Sequence, residues 1–166
     1  VRGSRERRRA KGFAALSRGM VAVGSGDPLA ARRHANDAER LLGPEPLTLL
    51  LSAQAAQISG DREGAERAFQ AMADDPETRV LGLRGLFVEA RRRDDEAAAR
   101  AYAAEAARLA PSVTWANEAM LEAQCADGDW SGALETVERR GSLGLTERTV
   151  ARRQRAVLLT ASAQRL

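Results

Sequence analysis

The sequence predicts an all-α fold, a solenoid of about four helical hairpins closed by one further helix, and three observations predict it. Alanine, arginine, leucine and glutamate dominate the 166 residues, β-branched side chains are scarce, and aromatic residues make up 4%. Unbranched side chains lose the least entropy in a helix, so this composition favours helices over strands. Four turn-like stretches recur: SGDPLAA from Ser25, SGDREGA from Ser59, RDDEAAA from Arg93 and DGDWSGA from Asp127. Their aspartates Asp27, Asp61, Asp95 and Asp129 stand 34 residues apart, and each is followed four positions later by alanine: Ala31, Ala65, Ala99 and Ala133.

A period of 34 residues is that of the tetratricopeptide (TPR) repeat, a helix A and a helix B joined by a tight turn. The residues fit that physics. Glycine before the aspartate ends helix A in a left-handed conformation, and the aspartate caps helix B. The alanine one turn into helix B faces helix A, where a small side chain lets the axes approach.

Taken in order, the first A helix is expected over 6–23, ended by Gly26 and Asp27. Its B helix, 28–42, opens with Pro28 at the first helical position and stops before Pro44. The second pair, 46–58 and 61–73, begins at Pro46 and breaks at Gly60. The third A helix, 76–92, starts at Pro76 and carries Gly82 and Gly85 in its interior. Each interior glycine costs a helix about 1 kcal/mol against alanine, so both are read as positions where a neighbouring helix comes too close for a Cβ. Its B helix, 95–109, ends before Pro111. The fourth pair covers 112–126 and 130–139. A last helix, 146–166, is a cap or the A helix of a fifth repeat. It is expected to expose an apolar stripe of Val150, Val157, Leu158 and Leu166, and the array is expected to continue beyond it. The domain organisation is thus 1–11, a basic stretch of juxtamembrane type; 12–145, four TPR-like repeats; and 146–166, the terminal helix.

Charge is concentrated at one end. Residues 1–11 carry six basic side chains and one acidic one, whereas the rest of the chain carries 20 basic and 22 acidic. A basic tract of this kind suits a chain leaving a membrane on the cytoplasmic side. Nucleic acid is not expected as a partner. Arg148, Arg152, Arg153 and Arg155 read as a solvated helix face, with no interleaved aromatic residues on which bases could stack. One cysteine, Cys125, and one histidine, His34, leave no intrachain disulfide and no Cys/His metal pair. Nucleophilic chemistry has equally little to use, so the chain is read as non-enzymatic, with no cofactor required. Cys125 reads as a small, partly buried hydrophobe. His34 reads as a polar surface or inter-helix residue; to ligate haem it would need an apolar-walled surface.

In arrays of this type the A helices line the concave surface. The 34-residue register then selects a partner-binding groove of Gln54, Gln57, Leu81, Arg84, Val88, Arg91, Trp115, Glu118 and Glu122. Arg84 and Arg91 lie two turns apart on one face and could grip a carboxylate. The plainer alternative pairs these two arginines with Glu118 and Glu122 on the next A helix. Trp115 is either an aromatic anchor or ordinary packing between repeats.

The stretches PETRVLGLRGLFVEARRRDDEAAARAYAAEAARLAPSVTWA, EPLTLLLSAQAAQISGDREGAERAF and DWSGALETVERR, with a terminal RAVLL, resemble bacterial HemY proteins over about residues 7–163. The resemblance implies an inner-membrane protein with an N-terminal transmembrane anchor ahead of Val1, followed by a TPR region in the cytoplasm. It implies a role in late haem and porphyrin biosynthesis as a scaffold for protein partners, haem-biosynthesis enzymes among them. The alternative is direct carriage of haem or porphyrin. A flavin-dependent protoporphyrinogen oxidase shares the name, but this chain has no GxGxxG turn after a strand.

Overall fold

In a computed structural model the structure describes residues 2–164. Among them lie nine α-helices and no strand: α1 (Arg2–Gly24), α2 (Pro28–Leu42), α3 (Pro46–Ile58), α4 (Arg62–Asp74), α5 (Arg79–Arg92), α6 (Glu96–Leu109), α7 (Thr114–Asp127), α8 (Trp130–Ser142) and α9 (Arg148–Ala163). Residues 1, 165 and 166, where the expected terminal segments begin and end and where Leu166 was placed on the apolar stripe, lie outside the described residues. The chain divides into two compact units, Val1–Glu89 and Ala90–Leu166, with the division inside α5.

The recurring aspartate does the same work four times. Asp27, Asp61, Asp95 and Asp129 accept hydrogen bonds from the backbone N–H of Ala30 (3.0 Å), Gly64 (2.9 Å), Ala98 (3.1 Å) and Gly132 (2.9 Å). Each cap satisfies one donor that the helix start leaves open. The backbone N–H of each aspartate also bonds back into the preceding helix, to Ala22, Ala56, Ala90 and Gln124, the closing bond of a Schellman turn. Gly26, Gly60 and Gly128 supply the left-handed residue before it, and at the third turn Asp94 does so with φ 59°. Aspartate tolerates that region better than most side chains. The following alanines, Ala31, Ala65, Ala99 and Ala133, are 0–1% exposed.

In the first unit α1 packs on α2 and on α3, and α3 packs on α4. Its core is mostly alanine with Leu16, Leu51, Phe69 and Met72. At Gly19 an added Cβ would collide with the side chain of Leu51. At Gly82 it would meet the backbone of Ala73 and Phe69, and at Gly85 the Phe69 ring. Both interior glycines of α5 are therefore close-approach positions against α4, as their spacing predicts. In the second unit α6 packs on α7, α7 on α8 and α8 on α9.

Two boundaries and one burial differ most from the sequence expectation. The basic stretch 1–11 is helical from Arg2 and continuous with α1. One of its arginines is built into the fold, because Arg8 donates to the carbonyls of Arg40 (2.9 Å) and Leu41 (3.3 Å) at the end of α2. A cation there offsets the partial negative charge of open carbonyls. α5 begins at Arg79 rather than Pro76, because Thr78 turns back to donate to the Met72 carbonyl at 2.8 Å and Asp75 accepts from the Glu77 N–H. Leu158, expected on the exposed stripe, is buried against Ala133 and Val137 of α8; Val150 and Val157 are exposed, at 41% and 66%.

Candidate functional site

The sequence-selected positions of the first unit fall on α3 and α5. Gln57 Nε2 donates to Glu89 Oε1 at 2.7 Å, fastening α3 to α5 across a carboxylate that is only 2% exposed. Gln54, half-buried on α3, has its Oε1 buried with no hydrogen-bond partner. A buried acceptor left open by protein groups is uncommon in folded proteins. On α5, Leu81 and Arg84 are exposed and Val88 is half-buried. The neighbouring face of that helix is pinned to α4 by Gly82 and Gly85, so Leu81 and Arg84 project from a fixed backbone.

In the second unit the charged positions are engaged with each other. Arg91 Nη1 lies 3.2 Å from Glu122 Oε2, and its Nε lies 3.9 Å from Glu96. Glu118 meets Arg140 of α8 at 3.6 Å. The alternative of arginines paired with the glutamates of the next A helix therefore holds for Arg91 with Glu122, while Glu118 takes Arg140 instead. Trp115 is half-buried.

Sequence reasoning passed over Glu89, Asn117 and Arg140, each buried. Asn117 ties the carbonyls of Pro111 and Val113 together at 2.8 Å. The signal for Arg140 was present in the register: it stands one period after Ala106 and two after Met72, both fully buried. His34 is half-buried on α2 and borders an open cavity of about 380 Å³ with Arg18, Val21 and Asp27. Cys125 is half-buried, and burial raises the pKa of its thiol. Among the described residues no three of His, Cys, Asp and Glu converge as metal ligands, and no helix is long and apolar enough to cross a membrane.

These features define an all-helical protein of capped, alanine-packed hairpins. Residues 1–60 match the family model described as HemY protein N-terminus, a match that supports the HemY-type resemblance read from the sequence. No curated protein and no solved structure matches it.

Proposed function

We propose that this HemY-type chain is a non-enzymatic TPR scaffold, tethered to the inner membrane and facing the cytoplasm, that docks protein partners of haem or porphyrin biosynthesis on the α3/α5 face of its first unit. The 34-residue recurrence of cap, turn and buried alanine supports the TPR reading. The observation that carries the docking face is the exposure of Leu81 and Arg84 on α5, a helix fixed against α4 at Gly82 and Gly85. An extended or helical segment of a partner supplies an apolar side chain for Leu81 and a carboxylate for Arg84. Tethering raises the local concentration of whatever the scaffold gathers.

The test is capture of partners from detergent-solubilised membranes on the immobilised chain, comparing wild type with Leu81→Asp/Arg84→Glu. Loss of specific bands in the variant is the expected result, and identical recovery overturns the face. Haemin titration separates the carrier reading. A saturable Soret shift abolished by His34→Ala with Arg84→Ala would make the protein a haem carrier rather than a scaffold.

A further inference from the structure

The 34-residue register exposes a substitution between two equivalent places in the molecule. Three periods carry Gly19 to Leu121 and Leu51 to Arg153. In the first unit Leu51 is fully buried and seated where a Cβ on Gly19 would stand. In the second unit Leu121 of α7 and Arg153 of α9 instead border a cleft of about 300 Å³, with Cys125, Val137, Val157 and Leu158. A leucine and an arginine hold apart what a glycine and a leucine close. The walls of the cleft are apolar, and an arginine stands at its rim.

The apolar surface continues along α9. Val150, Arg153, Gln154 and Val157 have the i, i+3, i+4, i+7 spacing that puts side chains on one face. The equivalents of Val150 and Val157 on α3, Thr48 and Ala55, are 1% and 3% exposed, whereas Val150 and Val157 are 41% and 66% exposed. Gln154 also has a buried Oε1 with no hydrogen-bond partner. Two turns of helix surface exceed the footprint of a small molecule and match that of a peptide helix.

Charge selects the occupant. Helix α9 carries Arg148, Arg152, Arg153 and Arg155 and no acidic residue. Of these, Arg155 pairs with Glu138 at 3.7 Å, and the other three form no ion pair among the described residues. A second copy docked through α9 would set arginines against arginines. We propose that the α7/α9 cleft seats an acidic, amphipathic helical segment of a partner protein, a surface separate from the α3/α5 face. An apolar anchor fills the cleft between Leu121 and Val157, and a partner carboxylate pairs with Arg153.

The experiment uses the full chain and a dye-labelled synthetic peptide of about four helical turns, with leucines at i, i+3, i+4 and i+7 and glutamates elsewhere. A counterpart carries lysine in place of glutamate. Fluorescence anisotropy is expected to show saturable binding of the glutamate peptide only. Arg153→Glu and Val157→Asp are expected to weaken it by at least about tenfold, roughly 1.4 kcal/mol, while Arg153→Lys retains binding. Both side chains are exposed, and circular dichroism checks that the helices persist. Absence of binding, equal binding to the variants, or preference for the lysine peptide overturns the proposal. So does saturable binding of decanoate in the absence of peptide binding, which would make the cleft a site for small apolar carboxylates.

Discussion

Equivalent A-helix positions close in one unit and stay open in the other. Between α1 and α3 the contact is Gly19 with Leu51, and the leucine disappears into the space that a side chain on α1 would take. Between α7 and α9 the same two register positions hold Leu121 and Arg153 and leave a cleft lined largely by apolar side chains. Both units use the same aspartate caps and the same buried alanines. The hairpin is therefore set by local signals. Whether successive A helices touch is set by the sizes of two residues that lie 32 positions apart.

The largest expected effect comes from moving the open arrangement into the closed one. Gly19→Leu places a side chain where Leu51 already sits, and α1 and α3 must separate or Leu51 must leave its rotamer. Overpacking of this kind costs about 1–3 kcal/mol, read as a lowered urea midpoint. Gly82→Ala is expected to fall in the same range, because the new methyl meets the backbone of Ala73 and Phe69, which cannot swing aside. If Gly19→Leu unfolds with the wild-type midpoint, the glycine is not what closes α1 on α3, and the comparison fails.

Much of the fold was legible because its determinants are local and periodic. Glycine in a left-handed turn, an aspartate cap and an alanine four residues on are read directly from the chain, and the helices follow; the left-handed Asp94 of the third turn is not. The non-local choices were hidden. Nothing in the spacing told Glu118 to pair with Arg140 rather than with Arg84, since long charged side chains on helices reach several partners. Leu158 was expected on the exposed stripe because the sequence does not show which side of α9 meets α8; Ala133 and Val137 bury it. The open acceptors of Gln54 and Gln154 depend on what is missing around a side chain, and no sequence pattern reports that.

A smaller effect tests the shared part of the comparison. Asp61→Ala in the first unit and Asp129→Ala in the second each remove one cap bond of 2.9 Å, and Asp61→Ala also removes an exposed ion pair with Arg32 that contributes little. Each is expected to lower stability by about 1 kcal/mol, measured by denaturant unfolding. Equal losses confirm that the hairpin turn is the common module. A loss confined to one unit would show that the turns are not equivalent despite their geometry.

The smallest effect concerns Arg91 and Glu122, which meet at 3.2 Å with side chains 44% and 64% exposed. Water screens such a pair and its ordering consumes side-chain entropy, so a double-mutant cycle with Arg91→Ala and Glu122→Ala is expected to give a coupling below about 1 kcal/mol. That weakness bears on function. A weakly coupled arginine can be turned by a competing carboxylate without loss of fold, so engagement with Glu122 does not remove Arg91 from recognition. A coupling of several kcal/mol would instead make Arg91 a structural strut. The exposed chemistry of the second unit would then shift from α5 to the cleft beside α9.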